Sequence, residues 1–308
     1  MLSIICPFYN EQDAVDAFFE RLMPVLEGVG EACEIVCIND GSRDETLARL
    51  LEAQRRYPDV RVVDLSRNYG KEAALTAGID VARGDAVIPI DADLQDPPEV
   101  ILRLLDKWRE GYDVVLAKRA DRDGDSWLKR TTALLFYRLH NRIADVPIPE
   151  NVGDFRLMDR VVVDAVRQLP ERRRFMKGIF SWVGFRTAVV EYVRQPRFAG
   201  QSKFNGWSLW NFALEGLTAF STLPLRVWSY FGVLVAGGSF VFGSFIAFRT
   251  LIYGIDIPGY ASLLTVVLFL GGIQLIGLGV IGEYLGRVYS EAKQRPVYLV
   301  RKIYDGTD

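Results

Sequence analysis

The sequence predicts an α/β domain built on a mostly parallel sheet, followed by two C-terminal transmembrane helices. Three observations carry that expectation. Short apolar runs alternate with segments of helical spacing through the first third of the chain. Polar clusters follow directly after those runs. Farther on, residues 230–248 and 261–282 form two long stretches with no charged residue.

Taken in order, residues 2–6, 35–38, 60–65, 86–90 and 114–117 read as strands, and residues 14–26, 45–56, 72–82 and 99–109 as helices. Strands alternating with helices imply βαβ units and a parallel sheet. In such sheets ligands bind beyond the carboxyl ends of the strands, so the loops after each strand matter most. Past Arg119 the pattern loosens into a polar loop at 120–126, a helix near 127–142, a polar turn at 151–156, a helix at 175–183 and a mobile loop at 195–205.

The two uncharged stretches hold 19 and 22 residues. At ~1.5 Å per residue each is long enough to cross a hydrocarbon core of ~30 Å. Arg226 precedes the first, while Arg287, Lys293, Arg295, Arg301 and Lys302 follow the second; the turn at 254–259 has no cation. The positive-inside rule then puts both termini in the cytoplasm, in a multi-pass protein of the inner (cytoplasmic) membrane. Before the first stretch, Trp207, Trp210, Phe212, Leu214, Leu217 and Phe220 either line an interfacial helix or pack on the globular domain. The expected division is a globular domain at 1–205, an interfacial region at 206–226, a membrane hairpin at 227–286 and a cytoplasmic tail at 287–308. The N-terminus shows no signal-peptide pattern, because its apolar run lacks a basic flank and is broken by Pro7.

Composition excludes other classes. Half of the 308 residues are apolar, a quarter are charged and net charge is −2, which argues against extended disorder and against a uniformly basic nucleic-acid binder. Cys6, Cys33 and Cys37 lie in or beside apolar runs and read as free thiols in a reducing compartment. A single histidine, His140, means that any metal site must be built from carboxylates.

The strongest chemical signal is Asp91-Ala92-Asp93-Leu94-Gln95-Asp96, just after the fourth strand. Carboxylates two residues apart on an extended backbone project the same way, and hard oxygen ligands suit Mg²⁺ or Mn²⁺ bridging a diphosphate. The first strand leads into Pro7-Phe8-Tyr9-Asn10-Glu11, the second into Asn39-Asp40-Gly41-Ser42-Arg43-Asp44, the third into Ser66-Arg67-Asn68-Tyr69-Gly70-Lys71. Asp40 is placed to accept the imide hydrogen of a pyrimidine with Tyr9 against the base, and Arg67 or Lys71 to face phosphate. Asp44 reads as a helix N-cap.

These loops resemble those of GT-A fold (Rossmann-like), family 2 glycosyltransferases. Residues 118–130, Gly153-Asp154-Phe155-Arg156-Leu157-Met158 and Arg197-Phe198-Ala199-Gly200-Gln201-Ser202-Lys203 resemble the polyprenyl-phosphate branch, which includes dolichyl-phosphate mannose synthases and bactoprenol glucosyltransferases. The resemblance implies inverting, metal-dependent transfer of a hexose from a nucleotide sugar, first of all UDP-glucose, to a polyprenyl (undecaprenyl) phosphate. Pro7, Tyr9, Glu11, Asp40, Lys71 and Asp91 would then bind the donor nucleotide, and Asp91, Asp93 and Gln95 the Mg²⁺ or Mn²⁺. Arg119, Arg122, Lys129, Arg130 and Lys203 would hold the acceptor phosphate, and Asp154, with Asp93, would be catalytic. Mannose, an N-acetylhexosamine or a modified arabinose stay open as the sugar, and a non-catalytic membrane scaffold stays open as a different class. Partners beyond donor, lipid and membrane are a homo-oligomer through the glycine-rich helices and a flippase.

Overall fold

The computed structural model describes residues 1–120, 149, 151–172, 174–195, 223–253 and 259–305. The helices expected near 127–142 and 207–220, His140, and the cations Arg122, Lys129, Arg130 and Lys203 lie outside the described residues.

Eight strands among the described residues form one sheet: β1 (Leu2–Phe8), β2 (Cys33–Asn39), β3 (Val60–Leu65), β4 (Ala86–Pro89), β5 (Val114–Arg119), β6 (Val152–Asp159), β7 (Thr187–Tyr192) and β8 (Val300–Tyr304). Their order is β7-β5-β6-β4-β1-β2-β3-β8. β1 pairs in parallel with β2 and β4, β2 with β3, and β5 with β7. Only β6 and β8 run against their neighbours. The mostly parallel sheet expected from the sequence is therefore present.

Helices cover both faces. α1 (Gln12–Glu27), α2 (Thr46–Arg56) and α4 (Val100–Arg109) lie on one side; α3 (Lys71–Val81), α5 (Arg160–Gln168) and α6 (Met176–Trp182) lie on the other. Strand alternation decides the division: Leu2, Ile4, Cys6 and Phe8 of β1 join Phe18, Phe19 and Leu22 of α1, whereas Ile5 joins Ala74 and Ala77 of α3. α3 packs closely because Gly78 has no side chain; a Cβ there would sit 2.9 Å from Ile38 Cδ1 and 3.1 Å from Ile5 Cβ.

The expected polar turn at 151–156 is a correction. Only Asn151 turns, at φ 62°, and β6 begins at the next residue. Its apolar side chains serve both layers, Phe155 and Leu157 on one and Val152 and Met158 on the other. Arg156 hides this alternation from the sequence. It is 4% exposed, its guanidinium stacks 4.3 Å from the Phe180 ring, and it donates to the Gly153 carbonyl at 2.8 Å. Nor does the local sequence pattern mark β7 or β8 as strands. The helix expected at 175–183 is α6.

Beyond the sheet stand α7 (Leu223–Tyr253) and α8 (Tyr260–Ala292). Within them, Val227–Ile246 and Phe269–Ala292 are apolar enough to cross a membrane, with mean hydropathy 1.6 and 1.4. Neither is a core helix: Val233 is 72% exposed, Phe240 77% and Leu251 85%. Burying one such side chain is worth about 1.5–3 kcal/mol, so a long row left in water would be strongly unfavourable. The two helices touch where Trp228 packs on Gly277; a Cβ on Gly277 would lie under 3 Å from the indole.

Candidate active site

In the order β3-β2-β1-β4 the chain winds outward from β1 in both directions, which opens a crevice beyond the carboxyl ends of β1 and β4. Pro7 lies in β1 opposite Ile38, beyond the last residue that pairs with β4, so its missing N–H costs no hydrogen bond on that side. Tyr9 and Glu11 follow in the loop after β1, where Glu11 is the N-cap of α1.

The first two loops brace each other. Asn10, at φ 51°, accepts from the Arg43 N–H at 2.9 Å and donates its own N–H to Ser42 Oγ at 3.0 Å. The Glu11 N–H donates to Thr46 Oγ1 at 3.0 Å. Asp44, expected as the N-cap of α2, stands one residue before the N-cap Glu45; its carboxylate accepts from the Thr46 N–H at 3.1 Å and from the Gln12 N–H of α1 at 3.3 Å.

Asp40 is 2% exposed, and its carboxylate accepts from Tyr69 N–H at 2.8 Å, Gly70 N–H at 2.9 Å and Asn68 Nδ2 at 2.9 Å. In this structure the carboxylate shapes residues 68–70, a role the sequence reading did not give it. Burial pushes its pKa up, while the two N–H donors and Arg67 pull the other way. Gly41, at φ 63°, lies so close to the same segment that a Cβ would be 2.3 Å from the Arg67 carbonyl carbon.

Lys71 opens α3 and reaches into the crevice. Its ammonium lies 2.7 Å from Asp91 Oδ1, 2.8 Å from Asp91 Oδ2 and 2.7 Å from Asp154 Oδ2. Asp154 reaches this point because β6 runs antiparallel to β4, so its first residues lie at the edge where β4 ends. The pairing of Val87 with Met158, continued past β4, brings Asp154 level with Asp91. Burial works to raise the Asp154 pKa, but the charges of Lys71, Lys177 and Arg156 outweigh it and hold the carboxyl at about 2. Glu72, next to Lys71, shows the opposite balance: burial and the Asp154 charge push it up to about 7, although it accepts the Met176 N–H at 3.0 Å.

Between Asp93 and Gln95, Leu94 adopts φ 55° with its side chain buried, a strained turn of the kind that clusters at functional sites. Asp93 accepts the Gln95 N–H at 3.1 Å. The Gln95 carbonyl takes the Gln195 N–H at 3.0 Å, tying this loop to the end of β7. Asp96 is 3% exposed, accepts from the Tyr192 hydroxyl and lies 3.8 Å from Arg194 Nε. Arg119, opposite Tyr192 at the end of β5, bonds to the Tyr192 hydroxyl and feels the charges of Asp96 and Asp91. Glu72, Asp96, Lys177 and Tyr192 thus shape the site without having been assigned a role from sequence. Asp96 was legible beside Asp91 and Asp93, but nothing local to Tyr192 or Lys177 announces them.

Among the described residues no three His, Cys, Asp or Glu side chains form a cage for a metal ion. Asp91 and Asp93 offer hard oxygens at one strand end. That donor set fits Mg²⁺ or Mn²⁺, which one or two carboxylates hold together with substrate phosphates.

A mostly parallel sheet with carboxylates and a lysine gathered past β4 suits the binding of an anionic, phosphate-bearing ligand at that edge. The chain belongs to glycosyl transferase family 2, whose pattern matches residues 3–167. It is 55% identical over 305 residues to the SfII prophage-derived bactoprenol glucosyl transferase of Shigella flexneri, covering 99% of each chain. An uncharacterized glycosyltransferase of Synechocystis sp. is 56% identical over 303 residues, covering 98% of this chain and 95% of the other. Among solved structures, glucosyl-3-phosphoglycerate synthase from Mycobacterium tuberculosis, in complex with Mn²⁺, UDP and phosphoglyceric acid, shares the fold. It aligns with a TM-score of 0.52 at 19% identity, covering 70% of this chain and 76% of that one.

Proposed function

We propose that the chain transfers glucose from UDP-glucose to a polyprenyl phosphate of the undecaprenyl type, with inversion, at the cytoplasmic face of a membrane that α7 and α8 cross. The observation that carries the chemistry is Lys71 held between Asp91 and Asp154 at the carboxyl end of β4. The lipid acceptor and the sugar are supported by relatives named bactoprenol glucosyl transferase that match the full chain. Membrane attachment is supported by the exposure of the two apolar helices.

In this reading Pro7, Tyr9, Glu11 and the loops shaped by Asp40 receive the nucleotide, and Lys71 meets the donor diphosphate. Asp91 and Asp93, with Gln95, hold the metal ion, which when bound supplies positive charge against the departing diphosphate. An acceptor phosphate oxygen attacks the anomeric carbon as the bond from that carbon to UDP breaks, and the electron pair leaves with UDP. Arg119 serves the acceptor phosphate together with Arg122, Lys129, Arg130 and Lys203, since guanidinium pairs bidentately with phosphate. The acceptor's second pKa is about 6, by analogy with other phosphomonoesters, so it arrives largely ionised at neutral pH. Asp154, itself charged at that pH, is then an electrostatic and orienting group that keeps Lys71 aimed into the crevice. A flippase for the product and a homo-oligomer packed through α7 and α8 complete the proposed partners.

The test is transfer by the full-length enzyme in detergent, with undecaprenyl phosphate, Mg²⁺ or Mn²⁺ and a panel of nucleotide sugars. UDP-glucose is expected to give the glucosyl lipid with release of UDP. No lipid product from any donor would refute the assignment, and preference for another donor would refute the sugar alone.

A further inference from the structure

The edge of the sheet beside the candidate donor loops is closed by β8. β8 pairs antiparallel with β3, with Val63 opposite Ile303 and Leu65 opposite Val300, and a bulge falls between Asp64 and Leu65. Just past that bulge the chain enters residues 66–71, the loop that ends at Lys71.

Both backbone polar groups of Ser66 are held by this C-terminal segment. The Ser66 N–H donates to the Leu299 carbonyl at 2.9 Å, and the Ser66 carbonyl accepts from Arg301 Nη2 at 3.1 Å. Arg301 Nη1 also lies 3.7 Å from Asp64 Oδ2, an oxygen that is buried and takes no hydrogen bond. The other oxygen of Asp64 accepts from Asn39 Nδ2 at 2.7 Å, and Asn39 Oδ1 in turn takes the Ser42 N–H at 3.3 Å. One guanidinium therefore bears on two loops, 66–71 through Ser66 and 39–42 through Asp64 and Asn39. Asp40 then joins the two from within.

We propose that Arg301 is a positioning residue for the donor site, acting through Ser66 and Asp64 on the loops at 66–71 and 39–42. This rests on the reading of those loops as the nucleotide site. Arg301 is well exposed and carries no core packing, so its replacement leaves the fold intact. Its effect is on donor affinity rather than on the acceptor or the chemical step. The remainder of β8 supplies the control: Gln54 Nε2 donates to the Tyr304 carbonyl at 2.6 Å, at the end of the strand away from Ser66.

The experiment compares full-length wild type, Arg301→Ala, Arg301→Lys and Gln54→Ala in detergent, by calorimetry with UDP and by separate KM values for donor and lipid. Arg301→Ala should weaken UDP binding and raise the donor KM about five- to twenty-fold, with kcat and lipid KM within about twofold. Arg301→Lys should fall in between, because it keeps the charge but loses the separate Nη1 and Nη2 prongs that reach Asp64 and Ser66. Gln54→Ala should bind UDP as wild type does. Unchanged UDP binding in Arg301→Ala overturns the proposal. So does an equal loss in Gln54→Ala, which would make β8 a source of stability only. Wild-type enzyme that binds no UDP would instead overturn the nucleotide reading on which the proposal stands.

Discussion

Replacing Asp154 with Asn separates a proton-accepting role from an orienting one. The Lys71 ammonium lies 2.7 Å from the Asp154 carboxylate, and the surrounding cations hold that carboxyl at about 2. With its carboxyl held well below the usual carboxylate range, taking a proton from an acceptor phosphate of pKa about 6 would be uphill. Asp154 is therefore a poor base and a good anchor. Removing its charge while keeping its shape loses a charge-assisted hydrogen bond worth about 1.5–3 kcal/mol. If all of it is felt in the transition state, kcat falls roughly 10- to 150-fold. The assay is kcat at saturating donor and lipid from pH 6 to 9. The ratio of wild type to Asp154→Asn should stay flat, because the wild-type carboxylate is already ionised across that range. A variant that recovers tenfold or more as the acceptor loses its last proton would refute the reasoning and make Asp154 a base.

Glu72→Gln should remove a pH dependence of stability. The folded pKa of about 7 stands above the ordinary 4.5, so the stabilising contribution is present below about 4.5 and is lost as pH rises through 7. The variant, whose amide still accepts the Met176 N–H, should gain thermal stability relative to wild type between pH 5 and pH 8; a constant difference in Tm would contradict this. Gly41→Ala forces a left-handed conformation costing about 1–2 kcal/mol on a residue whose new Cβ would meet the Arg67 backbone. It should lower Tm and weaken UDP binding by at least about tenfold, and wild-type affinity would show that the two loops are not in contact in solution. Asp256→Cys in intact cells should react with an impermeant maleimide while the native cysteines do not, and labelling only after lysis would reverse the proposed topology.

The part of the fold that the sequence displays is the part governed by local pattern. β1, β2, β4 and β5 announce themselves by nearly continuous apolar runs, β3 by Val60, Val62, Val63 and Leu65 in spite of Arg61 and Asp64, and the helices between them keep helical spacing. β6 does not, because Asp154 and Arg156 interrupt it with charge that only tertiary partners satisfy: Lys71 for one, the Phe180 ring for the other. β8, Val300–Tyr304, reads as a solvated basic tail until β3 is placed beside it. The same limit applies to the site. Asp91, Asp93 and Lys71 stand out by their position after strands. That Asp154 faces Asp91 follows from the antiparallel direction of β6, which no local spacing encodes. Asp40 was legible as a loop carboxylate, but its engagement with residues 68–70 depends on a left-handed Gly70 at φ 96° that composition does not reveal.

The pairing of β3 with β8 also sets a timetable for synthesis. Ser66 and Arg301, which meet at the sheet edge, are 235 residues apart in the chain. At about 5–20 residues per second, the ribosome takes roughly ten to fifty seconds to deliver the partner after β3 has emerged. During that interval the outer edge of β3 offers unpaired N–H and C=O groups to any extended segment nearby, the usual starting point for edge-to-edge aggregation. Both apolar helices are translated within the same interval, so under the proposed membrane attachment they can begin to insert before β8 is available to close the sheet. Until β8 arrives, the open edge of β3 is a feature that chaperones and proteases can read before the loop at 66–71 is held in place.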